Sequence, residues 1–169
     1  ILPDIQQEFT IDRSTASIPF ALTMVGFAIG NGVMGRIVDR YGITKTIILA
    51  ATINTAGYIS AMQVSDIYLL TILQFFIGFG TAASFGPLIA DTSHWFLKRR
   101  GIAVALIASG NYFSGAVWPP IFNSTLQSDG WRDVYGILAI ATVFIMIPLS
   151  FLLTKKISEE TSRISDAAS

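Results

Sequence analysis

Five stretches of this sequence contain no charged residue: Ser14–Gly35, Thr46–Ser65, Ile67–Ala90, Gly101–Ser128 and Val134–Thr154. A helix rising about 1.5 Å per residue needs about 20 predominantly apolar residues to cross about 30 Å of hydrocarbon, and each stretch is long enough. Lipid offers the backbone no hydrogen bonds, so a spanning segment must be a helix or belong to a closed barrel, and none of these runs alternates with the period of two that barrel strands need. The composition agrees. Of 169 residues, 52% are hydrophobic and 13% charged, whereas a water-covered domain carries about 25% charge. The sequence therefore predicts an all-α membrane protein, a bundle of five transmembrane helices at about residues 14–36, 45–64, 67–91, 101–123 and 133–154. Residues 1–154 form one partial transmembrane domain, and the polar 155–169 segment begins a linker.

Several functions are excluded by what is missing. Lys and Arg together number 11, as do Asp and Glu, so no basic excess favours nucleic acid. With no Cys and one His, neither a metal centre nor thiol chemistry is expected. No Gly-rich phosphate cradle followed by Lys-Ser/Thr is present, which removes an ATP-driven motor from this segment. The expectation is a protein that is not an enzyme and needs no cofactor.

The charged links set the orientation. Arg36, Arg40 and Lys45, then Lys98, Arg99 and Arg100, then Lys155, Lys156 and Arg163 fall on one predicted side, against Arg13 and Arg132 on the other. By the positive-inside tendency, the 36–45 and 92–100 links are cytoplasmic. Trp95, Trp131, Tyr68 and Tyr135 lie near predicted helix ends, where amphipathic rings favour the interface. Short links also predict that consecutive helices are antiparallel neighbours. The opening Ile1-Leu2-Pro3-Asp4 reads as the last turn of an earlier helix, so a first helix is expected ahead of this segment.

The sharpest local pattern is Gly35-Arg36-Ile37-Val38-Asp39-Arg40-Tyr41-Gly42-Ile43-Thr44-Lys45, or G-x-x-x-D-R-x-G-x-x-K. Gly35 permits close helix approach, Gly42 permits a tight turn, and Asp39 puts an acid among the cations Arg40 and Lys45 at the membrane surface. This pattern resembles the loop between the second and third helices of the major facilitator superfamily. A second set narrows the resemblance: Trp95-Phe96-Leu97-Lys98-Arg99-Arg100-Gly101-Ile102-Ala103, then Trp118-Pro119-Pro120, then Gly130-Trp131-Arg132. It is similar to the bacterial relatives of monocarboxylate and oxalate:formate carriers. The resemblance implies most of the N-terminal six-helix half of a twelve-helix fold, in the inner membrane of a bacterium. It further implies a secondary carrier working by alternating access, by symport or antiport, with a small solute and a coupling proton or ion as partners, the lipid bilayer around it, and the remaining helices of the same protein beside it.

The resemblance also implies roles for residues. Gly35, Asp39, Arg40, Gly42 and Lys45 match the gating motif, and Asp91 is the candidate acidic partner for Arg40, with Lys45 as a competing cation. Many superfamily members have an Arg in the fourth helix where this chain has Gln74, followed by Gly78 and Gly80. Glutamine bonds a carboxylate without carrying charge. Polar groups at depth face the bundle or a cavity, so Gln74, Asn111, Tyr112 and Trp118 are candidates to line the solute path, with interhelical bonding as the alternative and the preferred reading of Asn54. Gly26, Gly30, Gly78, Gly80, Gly110 and Gly115 are candidates for helix packing, the first two at a moving interface. His94 reads as interfacial, and Asn123-Ser124-Thr125 matches a short glycosylation pattern. The expected solute is a small organic anion, a mono- or dicarboxylate. The alternatives are a carrier for a neutral or cationic compound, or a non-transporting membrane scaffold of the same architecture.

Overall fold

A computed structural model describes the backbone of residues 2–95, 100–128 and 130–152, and their side chains apart from 91–95, 100, 103 and 152. The described residues are helical throughout: α1 (Leu2–Phe9), α2 (Arg13–Tyr41), α3 (Ile43–Met62), α4 (Ile67–Thr81), α5 (Gly86–Trp95), α6 (Arg100–Ser128), α7 (Trp131–Ala141) and α8 (Ile147–Leu152). A 3₁₀ turn at Ala82–Ser84 joins α4 to α5, and a π turn at Thr142–Met146 joins α7 to α8. Among the described residues, three helical segments are long and apolar enough to cross a membrane: Arg13–Tyr41, Ile67–Ala90 and Trp131–Phe151. The other two expected spans are helical as well, but polar residues interrupt them, Lys45, Asn54 and Ser60 in α3 and Asn111, the Pro119-Pro120 pair and Asn123 in α6.

Local chemistry sets the ends. Asp12 caps α2 by accepting from the Ser14 N–H at 3.2 Å and from the Thr15 hydroxyl, and Asp66 caps α4 by accepting from the Tyr68 N–H at 3.1 Å. α2 ends at Gly42, whose φ of +85° is a region open to glycine and strained for other residues. Its N–H donates to the Val38 carbonyl at 2.8 Å. The 29 residues of α2 reach about 44 Å, well beyond the hydrocarbon thickness. Helix α2 thus runs on past residue 36, so Asp39 and Arg40 stand on its last turn and one glycine makes the link.

Packing departs from the chain order. α2 lies chiefly on α4, not on α3, and contacting residues rise in number together (Thr23 with Gln74, Gly30 with Phe79 and Ala82, Gly86 with Asn31), so the two run parallel. The cause is a seam of glycines. A methyl on Gly30 would sit 2.6 Å from the Phe79 carbonyl oxygen; one on Gly26 would collide with the Phe75 carbonyl and one on Gly78 with the Thr23 carbonyl. Gly26 and Gly30 therefore pack directly against the backbone of α4. Helix α3 packs on the other side of α4 and on α7, and Gly80 admits Asn54 and the Ala50 carbonyl. At the opposite end, α1 covers a core of Ile5, Ala61, Val64, Leu70, Trp131 and Tyr135. Leu2–Phe9 is thus a short helix seated on the bundle. Trp131 and Tyr135, 3% and 5% exposed, are buried there; α1 shields them from the interface expected for their rings.

Gly78→Ala is expected to cost about 1–3 kcal/mol, because its methyl meets carbonyl backbone that cannot rotate away. Gly136→Ala, facing only the flexible end of Met62 at 3.1 Å, is expected to stay within about 0.5 kcal/mol of wild type. Thermal unfolding of the purified full-length protein in detergent compares the two.

Candidate functional site

Two polar clusters emerge from this packing, one within the bundle and one at its end. Within the bundle, the Gln74 amide spans three helices. The Thr23 hydroxyl of α2 lies 3.1 Å from Gln74 Oε1 and 2.9 Å from the Pro19 carbonyl, sharing its one proton between them, while Gln74 Nε2 donates to the Tyr135 hydroxyl of α7. Gln74 is half-buried and lies about a third of the way along the Ile67–Ala90 segment from its start. About two helical turns further along α4, the Thr81 hydroxyl is approached by Asn54 Nδ2 of α3 at 3.4 Å. Asn54 is 3% exposed and its Oδ1 has no bonding partner. The interhelical reading of Asn54 thus has a geometric basis.

The end cluster centres on Glu8. Its Oε2 accepts from Trp131 Nε1 at 2.6 Å and from Arg132 Nη1 at 2.8 Å, and its Oε1 accepts from Arg132 Nη2. The same guanidinium donates to the Val64 carbonyl at 2.9 Å and lies 4.4 Å from the centre of the Trp131 ring. One fork therefore ties α1, the α3–α4 link and the start of α7. Glu8 is held below its ordinary value of 4.5 mainly by the Arg132 hydrogen bonds, against a smaller opposing effect of desolvation, with further help from Trp131. Glu8 was not among the sequence candidates: its partners lie far along the chain, and nothing in Gln6-Gln7-Glu8-Phe9 marks it.

The predicted gating residues gather at the other end. Asp39 and Arg40 are exposed on the last turn of α2, and the Arg40 guanidinium lies 5.4 Å from the Tyr41 ring centre. Gly35 has open space around the methyl position. The Asp91 side chain, proposed as the partner of Arg40, lies outside the described residues, as do the side chains of His94 and Trp95, residues 96–99 and the 155–169 segment. The path candidates are not brought together. Gln74 sits in the bundle, whereas Asn111 and Tyr112 are exposed on α6, which packs chiefly on α5 and α7 among the described elements. Trp118 stacks on Phe122 at 5.2 Å. Gly110 and Gly115 meet nothing within 4 Å, so their packing role is not realised by the described residues. Asn123-Ser124-Thr125 lies within α6 rather than on a loop, with the Ser124 hydroxyl donating to the Ile121 carbonyl.

This arrangement offers hydrogen bonds without charge inside the bundle and opposite charges at its ends. Among the described residues no cluster of His, Cys, Asp or Glu is grouped to hold a metal.

Comparison with known proteins places this geometry. The family model of the Major Facilitator Superfamily matches residues 1–168. Monocarboxylate transporter 11 of Homo sapiens is 27% identical over 146 residues, covering 85% of this chain and 31% of that protein. The riboflavin transporter MCH5 of Saccharomyces cerevisiae is 30% identical, covering 73% and 25%. The major facilitator superfamily multidrug transporter mdrA of Aspergillus fumigatus is 30% identical, covering 95% and 28%. The chain spans about a third or less of the length of these relatives. They come from a mammal, a yeast and a mould, so the bacterial branch expected from the sequence is not singled out.

Glu8→Gln is expected to lower stability at neutral pH by about 1 kcal/mol, the upper end for an ion pair that is about one-third exposed. Because the folded-state value of Glu8 is depressed, its contribution is present above the unfolded value and is lost as pH falls through the folded one. The gap between wild type and Glu8→Gln should therefore close below about pH 4.5, as read by unfolding midpoints across pH.

Proposed function

This chain belongs to the major facilitator superfamily, and on that premise we propose that it forms most of the N-terminal half of a secondary carrier for a small organic anion, working by alternating access. The membership and its apolar helices make it part of an integral membrane protein, of a family that moves small-molecule solutes rather than catalysing reactions. In this reading, five helical segments cross the bilayer: α2, α3, α4 with α5, α6, and α7 with α8. The seam between α2 and α4 makes them one rigid unit that rocks as a body.

The observation that carries the reading is the placement of Asp39 and Arg40 on the final turn of α2, beyond the length that hydrocarbon can cover. There they are exposed and free to engage a second body, and Gly42 fixes the direction in which the chain leaves them. An exposed pair contributes only about 0–1 kcal/mol, so the cytoplasmic gate relies on several such contacts made in one state and broken in the other. The anion assignment is supported by the named activity of the human relative and by the two matched motifs. Its balancing cation would lie outside this segment, since Gln74 supplies no charge. Gln74 also favours a second reading, a carrier for a neutral compound, and the yeast riboflavin transporter gives that reading a relative.

Uptake of radiolabelled lactate, succinate and riboflavin into proteoliposomes holding the full-length protein separates these readings. Gradient-dependent flux of a carboxylate is the expected result; flux of riboflavin alone would select the neutral carrier, and flux of none would overturn transport of these classes. Asp39→Asn is expected to insert normally and lower turnover about five-fold, the factor that goes with losing roughly 1 kcal/mol from one of two interconverting states. Unchanged turnover removes Asp39 from the gate.

A further inference from the structure

We propose that Tyr135 is a positioning residue that holds the Gln74 amide in place beside the solute path, so that the pair sets which hydrogen-bonding groups a solute must carry. The proposal rests on the carrier reading above. Tyr135 itself is 5% exposed and cannot meet a solute; Gln74 is half-buried and can. A primary amide has two N–H donors and an oxygen with two lone pairs. Thr23 occupies one lone pair at 3.1 Å and Tyr135 accepts one N–H. With its two ends held by different helices, the amide is fixed in place, and it keeps a second donor and a second lone pair for a solute. That edge complements a group with an acceptor beside a donor, such as a hydroxy-carboxylate or a primary amide.

The phenol is fixed in turn. Its ring meets Trp131 edge-on at 5.8 Å and Tyr58 at 6.1 Å, and Trp131 is anchored to Glu8 at 2.6 Å. Two rings and an ion pair thus restrain a hydroxyl whose bonding partner is Gln74. Such restraint exceeds what filling space requires, since phenylalanine would fill the same volume.

The absence of Cys from this chain permits a clean test in the full-length protein, with any cysteines elsewhere replaced. Gln74→Cys should react with a membrane-impermeant thiosulfonate reagent, and lactate or succinate should slow the labelling. No labelling from either side of the membrane would overturn the proposal whether or not transport is detected. In uptake assays, Tyr135→Phe should raise KM about five-fold with kcat unchanged, the factor that goes with one hydrogen bond. In a Gln74→Leu background, Tyr135→Phe should add nothing. A fall in kcat and midpoint without a KM change, or additive effects in the double variant, would instead make Tyr135 a packing residue. Failure of all uptake with Gln74→Cys still labelled would count against the carrier reading while keeping residue 74 on an aqueous path.

Discussion

Two helices can bring their backbones into contact only where no side chain intervenes, and the seam between α2 and α4 depends on that constraint. Gly26 and Gly30 on α2, and Gly78 on α4, each stand where a methyl would strike the other helix's backbone. In lipid no hydrophobic force pulls apolar helices together, so close van der Waals contact of this kind supplies the association. The seam's partners rise in number together along the two helices. Every other placement in the bundle follows from it.

With α4 drawn against α2, its opposite face is left to α3, where Gly80 makes room for Asn54 and Gly57 for Ile77. That position brings Gln74 between Thr23 and Tyr135, and Thr81 beside Asn54. Polar groups inside the bundle thus find partners on helices that are distant in sequence, which is how membrane interiors tolerate them. At the far end, Glu8, Trp131 and Arg132 close the bundle by joining its first short helix to its last. Among the described side chains, the charged ones lie at or near helix ends.

The sequence made some of this legible and hid the rest for identifiable reasons. The uncharged runs announced helices because a low-charge segment of that length has few other folds, and Asp12, Asp66 and Gly42 marked the ends through local capping chemistry. The interruption at Ala82–Ser84 has a local cause in Pro87, which has no N–H to give the Ala83 carbonyl one turn back, but charge patterning alone does not display it. Gly26, Gly78, Gly110 and Gly115 look alike in sequence, yet two face backbone and two meet open space. Gln74 could be singled out as polar at depth; that Thr23 and Tyr135 bind its two ends could not, because no periodicity links residues so far apart. Trp131 and Tyr135 read as interfacial rings because helix-end position is visible in sequence, whereas the covering helix α1 is not.

The sequence by itself determined the helical character of the chain, its affinity for the bilayer, the asymmetry of its basic residues and the motif at the end of α2, because each depends on neighbours along the chain and on the length of apolar runs. Tertiary structure alone decided which helix faces which, which glycines are filled and which polar groups meet, because these depend on surfaces matched across space. Glu8 shows the difference most plainly: an unremarkable acid in the sequence, it becomes the anchor of three elements once Trp131 and Arg132 are folded against it.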